Sequence, residues 1–176
     1  MKTSVVGFPR IGRMRELKFA CEKYFRHELS AEELDQTARD LRLAHWTTQR
    51  DAGIDLIPSN DFSFYDTTLD TAALFGLVPE RYRALELSPL DMYFAMARGY
   101  QGSAGDVHAL PMKKWFNTNY HYNVPEIDDA ADIALVGTKP LDEYLEAKAA
   151  GIETKPVVLG PFTLLNLANF TGSRQL

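Results

Sequence analysis

Apolar residues at helical spacing define the longest regular stretch of the chain. Leu34, Ala38 and Leu41 recur at intervals of three or four residues, which is the spacing of one helix face. Ser30 stands just before them, with a glutamate three residues later, and this pattern is typical of a capping box. Gly53 follows as a residue suited to the C-terminal cap. We therefore predict a helix from Ser30 to about Gly53.

The same criteria predict further helices, and short runs rich in β-branched and aromatic residues predict strands. The predicted helices are Met14 to Phe25, Thr67 to Leu77, Ser88 to Arg98, Thr138 to Gly151 and Phe162 to Asn169. The predicted strands are Ser4 to Phe8, Ile54 to Ile57, Lys114 to Thr118, Ile133 to Val136 and Val157 to Leu159. Residues 99–110 contain three glycines and are predicted to form a loop.

Alternation of strands with helices predicts an α/β fold with a parallel sheet. Only four or five strands are predicted, whereas a barrel of eight takes at least about 200 residues. The final residues, 169–176, follow an apolar helix with no further strand to cover it. We therefore expect the chain to be part of a longer protein, or to close its sheet with another chain.

Composition narrows the class of protein. The 176 residues are 45% hydrophobic and 24% charged, as in an ordinary globular domain. A net charge of -5 argues against a nucleic-acid partner, and no apolar run approaches the roughly 18 residues of a membrane span. Cys21 is the only cysteine and the N-terminus does not resemble a signal peptide, so we expect a cytoplasmic protein.

A basic segment is the first candidate site. Arg10, Arg13, Arg15 and Lys18 fall within nine residues and are opposed only by Glu16. If the predicted helix begins at Met14, Arg15 and Lys18 share one of its faces. Such a cluster suits a ligand that carries carboxylates or phosphates. On composition alone, a solvated helix face is the commoner explanation.

An aromatic segment, residues 113–122, is the second candidate. It contains two lysines, four aromatic residues, two asparagines and a histidine. In a strand, Trp115, Asn117 and Asn119 would share one face. Aromatic and amide groups could bind a flat heterocycle, or they could simply pack in the core and cap the next loop. The residues favour neither interpretation.

Two carboxylates in residues 60–66 form the third candidate. Asp61 and Asp66 follow a predicted strand and could perform acid–base chemistry. Asx turns and helix N-caps use aspartate at such positions, and this structural interpretation is favoured. Because Arg10, Asp61 and Asn119 all follow predicted strands, we expect them near one end of the sheet.

Several classes of site have no support in the sequence. The four histidines show no i, i+4 pairing and the one cysteine is alone, so we expect no metal on this chain. Phosphate-loop, dinucleotide-binding and nucleophile-elbow motifs are absent. The residues therefore indicate an α/β ligand-binding chain with an anion site, and they name no reaction.

Five segments resemble the N-terminal domain of cobalamin-independent methionine synthase, in the same order and at similar spacing. They read GFPRIG, RELK, DFSFYD, KWFNTNYHYNVPE and KPVVLGP, at residues 7–12, 15–18, 61–66, 114–126 and 155–161. The run WFNTNYHY is the most specific of them. The resemblance covers nearly the whole chain and is less evident in residues 98–110.

The resemblance implies an enzyme that transfers a methyl group from 5-methyltetrahydropteroyltri-L-glutamate to L-homocysteine, which gives methionine. It implies two (β/α)₈ barrels, with zinc in the C-terminal barrel to bind and activate the homocysteine thiol. Residues 1–176 would be the N-terminal part of the first, folate-binding barrel, an incomplete (β/α)₈ TIM-type barrel that lacks the catalytic C-terminal barrel.

The resemblance also implies where the folate donor binds. The family's folate-binding positions correspond to Arg15, Glu16, Leu17 and Lys18, and to Lys114. The implied partners are the methylfolate polyglutamate and the C-terminal barrel, and no catalytic or metal-binding residue is expected within this chain.

We expect no catalysis by these residues alone, because the zinc ligands and the homocysteine site of the family are missing. The alternative is a non-catalytic, stand-alone half-barrel that self-associates through its open sheet edges and binds an acidic ligand.

Overall fold

A computed structural model describes residues 1–173, which form two compact units. The first is built from residues 1–64 and 138–158, and the second from residues 65–137 and 159 onward. The helices are α1 (Glu16–Phe25), α2 (Ala31–Asp51), α3 (Thr67–Leu74), α4 (Glu80–Arg83), α5 (Pro89–Arg98), α6 (Lys139–Ala149) and α7 (Pro161–Leu167). The strands are β1 (Ile57–Ser59), β2 (Tyr100–Gly102), β3 (Gly105–Val107), β4 (Met112–Lys114), β5 (His121–Asn123), β6 (Glu126–Ile127), β7 (Thr154–Pro156) and β8 (Asn169–Phe170).

The first unit packs three helices with one parallel strand pair. In α1 and α2, which pack together, the apolar faces bury Leu17 and Leu34. In the sheet, β1 pairs with β7 in parallel, with Ile57 opposite Thr154. Around that pair, Trp46, Ile57, Ala147 and Ile152 form a buried cluster that joins α2, α6 and the sheet.

The second unit has two antiparallel hairpins and one parallel pair. Strands β2 and β3 form one hairpin, β4 and β5 form the other, and β6 pairs with β8 in parallel. Its larger core contains Leu69, Tyr82, Leu85, Ala95, Met96, Ala97 and Leu110. A smaller cluster contains Ala72, Leu77, Ile127 and Leu164.

Helices with sequence signals at their ends are confirmed. Ser30 caps α2 in a capping box with Glu33, and Ser88 caps α5, which ends at Gly99. The other predicted helices also form, with each end within three residues of its predicted position. The short helix α4 was not predicted.

Strand predictions in the first unit were misplaced, because a strand requires a partner that the local sequence does not show. Residues 4–8 make a single bridge, Ser4 to Leu56, and the Phe8 N–H then donates to a side chain rather than to a neighbouring strand. The strands predicted at 54–57 and 157–159 lie at 57–59 and 154–156 instead, where the two segments pair with each other.

In the second unit, two of the predicted strands are not strands. Residues 115–119 form the turn of the β4–β5 hairpin. Residues 133–136 donate backbone hydrogen bonds to Leu74 and Phe75 at the end of α3, where carbonyl groups lack helical partners.

Two other expectations about the second unit were also wrong. The predicted loop 99–110 contains the β2–β3 hairpin, because Gly102 and Gly105 flank a tight turn. The apolar helix near the C-terminus is followed by strand β8, whereas no strand was expected there. That expectation concerned residues 169–176, of which residues 174–176 lie outside the described residues.

The described residues thus form a mixed α/β structure without a closed barrel among them. Both parallel pairs agree with the predicted parallel sheet, whereas the two hairpins do not. Within residues 1–173, no helix is long and apolar enough to cross a membrane.

Candidate functional site

The segment that leads into α1 is fastened to the loop after β1. The Phe8 N–H donates a hydrogen bond to Oδ2 of Asp61 at 2.7 Å. The Arg10 guanidinium donates to the carbonyl oxygens of Ser63 and Phe64 at 3.0 and 3.1 Å. Arg10 and Asp61 therefore lie in one neighbourhood, as their positions after predicted strands indicated. The accompanying expectation for Asn119, a residue of the second unit, stays a prediction.

The loop after β1 is itself held by α6. Asn60 has a left-handed backbone, with φ of 60°, and its N–H donates to Oε2 of Glu143 at 2.8 Å. The Lys139 ammonium donates to Oδ1 of Asn60 at 3.0 Å and to the Phe62 carbonyl at 2.8 Å, and it pairs with Glu143 at 2.9 Å. Sequence inspection missed Lys139 and Glu143, for which the only local signal was a predicted helix start.

Asp61 is half-buried, and burial raises the pKa of its carboxyl group, although the Phe8 N–H opposes that shift. Its main contact is therefore a structural one that orients the preceding loop. This favours the structural interpretation of residues 60–66 over acid–base chemistry.

The cations of the basic segment differ in their backbone conformation and in their contacts. Arg15 precedes α1 with a left-handed backbone, φ of 66°, and its side chain is exposed. Lys18 lies in the first turn of α1 and pairs with Glu22 at 3.0 Å. The expectation that Arg15 and Lys18 share a helix face was therefore wrong, because the helix begins at Glu16.

The two residues between these cations serve the fold directly. Glu16 accepts a hydrogen bond from the Met14 N–H at 2.9 Å, and Leu17 is buried. A left-handed residue followed by a buried leucine fixes where α1 begins. The exposed Arg15 and the half-exposed Lys18 are thus presented to solvent at the start of an anchored helix.

His45 also contacts this segment, a role that helical spacing alone did not predict. Its ring lies 4.7 Å from the Phe8 ring at an interplanar angle of 33°. Burial lowers the pKa of His45, and the carboxylate of Glu16 opposes the shift. A neutral imidazole packed against Phe8 adds an apolar contact to the hydrogen bonds that hold this loop.

In the second unit, Lys114 ends β4 and is exposed. It lies opposite His121 in the antiparallel pair, while Lys113 on the other face donates to Oδ1 of Asn169 at 3.3 Å. The turn that follows is closed by hydrogen bonds from the Trp115 N–H to the Tyr120 carbonyl and from the Thr118 N–H back to the Trp115 carbonyl.

The aromatic residues of this hairpin separate into packed and exposed sets. Trp115 lies edge-on to the buried Tyr122, with centroids 5.9 Å apart, so these two belong to the fold. Phe116 and Tyr120 are exposed. The structure therefore supports the packing interpretation for half of the aromatic segment and leaves the binding interpretation open for the other half.

Asp66 connects this hairpin to α3. It is buried and caps the helix, accepting hydrogen bonds from the N–H groups of Thr68 and Leu69. It also accepts from the Tyr120 hydroxyl at 3.0 Å and from the Asn123 N–H at 3.1 Å. Burial raises the pKa of Asp66, and these donors oppose the shift.

Potential metal ligands are dispersed in the part of the chain that the structure describes. Among residues 1–173, no three His, Cys, Asp or Glu side chains are grouped so that they could hold a metal ion. The family resemblance implies zinc in the C-terminal barrel and not on this chain, and no reaction step is assigned to the described side chains.

Comparison with known proteins agrees with the resemblance seen in the motifs. Residues 2–175 match the family described as "Cobalamin-independent synthase, N-terminal domain". Three relatives are named 5-methyltetrahydropteroyltriglutamate–homocysteine methyltransferase. The one from Campylobacter jejuni subsp. doylei is 62% identical over 97% of this chain, and that from Streptococcus sanguinis is 58% identical over 97%. The one from Bifidobacterium animalis subsp. lactis is 58% identical over 99%.

The matched region is a small part of each relative. It spans 22% of the Campylobacter protein and 23% of each of the other two. By the match along nearly its whole length, the chain belongs to the family of cobalamin-independent synthase N-terminal domains.

Proposed function

We propose that this chain is the N-terminal, folate-binding part of a methyltransferase that converts homocysteine to methionine. The observation that carries the proposal is the 58–62% identity, over nearly the whole chain, to relatives named for that reaction. In this proposal, residues 1–176 are the first part of a (β/α)₈ barrel. The parallel pairs β1–β7 and β6–β8 support that assignment.

The chemistry is a displacement at carbon. The homocysteine sulfur attacks the methyl group of 5-methyltetrahydropteroyltriglutamate, so the S–C bond forms as the bond from carbon to N5 breaks. The thiol gives up its proton, and N5 takes up a proton as it leaves. Zinc, when bound by the C-terminal barrel that the family resemblance implies, favours the thiolate form of homocysteine. The residues of this chain hold the donor, and we assign none of them to catalysis. A cytoplasmic location fits a sequence with one cysteine, which cannot form a disulfide within the chain.

Two basic segments, Arg15–Lys18 and Lys114, carry the donor-binding role. The glutamate tail is a string of carboxylates, so ammonium and guanidinium groups can form charge-assisted hydrogen bonds with it. We propose that Arg15 and Lys18 in the first unit, and Lys114 in the second, bind tail carboxylates. Glu16 and Leu17 hold the Arg15–Lys18 segment in place, through the Met14 hydrogen bond and through burial.

Replacement of Lys18 or Lys114 by Ala should weaken binding of the triglutamate donor several-fold to about a hundredfold. A hydrogen bond to a charged group contributes about 1.5 to 3 kcal/mol, and exposed pairs contribute less. Because about 1.4 kcal/mol corresponds to a factor of ten in affinity, these energies predict the stated loss of several-fold to about a hundredfold. Calorimetric titration with the tri- and monoglutamate forms of methyltetrahydrofolate would measure the loss.

Matched variants make this test specific. Lys23→Ala removes an exposed lysine from the same helix as Lys18, and Lys113→Ala removes the neighbour on the opposite face of β4. Both should bind the donor normally. The loss at Lys18 and Lys114 should shrink for the monoglutamate and at high salt, where exposed charges are screened. Unchanged affinity of both test variants for both donors would show that the tail is held elsewhere.

The second candidate is a non-catalytic module that self-associates and binds an acidic ligand. It shares the exposed basic positions with the first proposal and differs in specificity. Equal affinity for inorganic phosphate and for the triglutamate donor would favour this alternative, because a dedicated folate site should distinguish them strongly.

A further inference from the structure

The tip of the β4–β5 hairpin presents an aromatic ring in an unusual way. Phe116 has a left-handed backbone, with φ of 51°, a conformation that costs free energy for most residues other than glycine, asparagine and aspartate. The residue is nevertheless 75% exposed. Among the non-glycine residues of positive φ in the described chain, it is the one large apolar side chain. A strained backbone that holds an exposed ring is more typical of a binding site than of a contribution to folding.

The tip is ordered rather than loose. The Trp115 N–H donates to the Tyr120 carbonyl at 2.8 Å, and the Thr118 hydroxyl donates to the Trp115 carbonyl at 2.6 Å. Tyr120 is in turn fastened to the buried Asp66. The Phe116 ring leans edge-on against Trp115, with centroids 5.3 Å apart. One edge of the ring is thus supported while most of its surface remains available.

Charge near the ring is positive. Lys114, exposed and only two residues earlier, lies within about 7.6 Å of Phe116 in Cα separation, since each step is about 3.8 Å. The chain as a whole carries a net charge of -5, so the positive charge beside Phe116 is a local feature. An exposed ring beside an ammonium group suits a ligand in which an aromatic ring stands close to a carboxylate.

We propose that Phe116 is a stacking platform for the p-aminobenzoyl ring of the folate donor, with Lys114 bound to the adjacent glutamate. The inference rests on the proposed function and specifies which part of the donor the hairpin binds. In a pteroylglutamate, four bonds separate the aromatic ring from the α-carboxylate carbon of the first glutamate. That short separation matches a phenylalanine and a lysine two residues apart on one hairpin.

The test uses two probes with the same N-acylated tail, p-aminobenzoyltriglutamate and N-acetyltriglutamate (called triglutamate below), so that neither carries a free α-amino group beside Lys114. The unmodified protein should bind the first more tightly. Phe116→Gly should weaken p-aminobenzoyltriglutamate about two- to tenfold, the range expected for one aromatic pair, and leave triglutamate unchanged. Lys114→Ala should weaken both probes, and Met112→Ala, which trims another exposed apolar side chain on β4, should weaken neither.

Glycine makes the stability readout informative. It adopts a positive φ without strain, so Phe116→Gly should melt at the same temperature as the unmodified protein or higher. A ring that serves only the fold would behave oppositely, and its removal would lower the melting temperature and weaken both probes. Phe116→Asn, which also tolerates this backbone, should repeat the binding result of Phe116→Gly.

Each remaining outcome is decisive. If the unmodified protein binds both probes equally, the ring platform is excluded while the tail site of the proposed function stands. If it binds neither, the tail site fails as well. If Phe116→Gly changes the mass in light scattering but not the binding of p-aminobenzoyltriglutamate, the ring contacts protein and the inference is overturned.

Discussion

At the scale of single residues, Asp66 shows how one side chain can organise a unit. Its two carboxylate oxygens accept four hydrogen bonds, from Thr68, Leu69, Tyr120 and Asn123, although the residue is buried. A buried carboxylate without partners would be costly, and here the donors of a helix start and of a hairpin meet on it. Aspartate before a helix was predictable as a cap, but the two hairpin donors were not.

Replacement of Asp66 by Ala should lower the free energy of unfolding by about 2 to 4 kcal/mol. Loss of an N-cap costs about 0.5 to 2 kcal/mol, and a buried donor left without a partner costs about 1 to 3. Denaturant unfolding would measure the change. Tyr120→Phe, which removes a single donor, should cost about 1 kcal/mol. Equal losses in the two variants would contradict a role for Asp66 as the common acceptor.

The stability gap between the unmodified protein and Asp66→Ala should also depend on pH. Because burial raises the pKa of Asp66, the folded state binds its proton more tightly than the unfolded state does. The resulting stabilisation is complete below the ordinary pKa of about 3.9 and is lost as pH rises through the higher folded pKa. Unfolding curves at several pH values should therefore show a wider gap at acidic pH than at neutral pH.

At the scale of elements, the ends of helices were far more predictable than the positions of strands. The capping box of α2 is complete, since the Glu33 N–H donates to Ser30 and the Glu33 carboxylate accepts from the Ser30 N–H. These contacts involve residues three apart, so the sequence alone contains them. Strands β1 and β7 lie almost a hundred residues apart, and each was predicted three residues away from its true position.

Ser30→Ala should lower the free energy of unfolding by about 1 kcal/mol, because the Glu33 N–H loses its acceptor. For a chain of this length, that loss corresponds to roughly 2 to 4 °C in melting temperature, measurable by scanning calorimetry. Ser30→Asp retains an acceptor and should melt close to the unmodified protein. An alanine variant as stable as the aspartate variant would mean that the cap contributes nothing to α2.

At the scale of the whole molecule, the chain passes alternately through two compact units. The first unit is not complete until residues 138–158 are added to residues 1–64. Within it, Arg42 on α2 pairs with Glu146 on α6 at 2.7 Å, and Trp46 shares a buried cluster with Ala147. No pattern in the first 64 residues identifies these distant partners.

Self-association is expected at high concentration. Leu141 and Leu145 lie one turn apart on α6 and are 55% and 49% exposed, and adjacent exposed leucines favour burial against another surface. We expect light scattering to give a mass above that of one chain, and Leu145→Glu to reduce it. Ser103→Glu, which adds the same charge in an exposed turn, should not. A monomer at every concentration would contradict the prediction.

The sequence alone determined the α/β class, the helices and their caps, and the segments that identify the family, because these depend on composition and on residues a few positions apart. The cluster of cations in residues 10–18 is also evident from the sequence alone. Only the tertiary structure decided that Arg10 fastens a loop, that Arg15 precedes its helix, and that Trp115 packs while Phe116 is exposed. Those outcomes depend on which distant backbone and side-chain groups supply hydrogen bonds and burial, and local patterns do not contain that information.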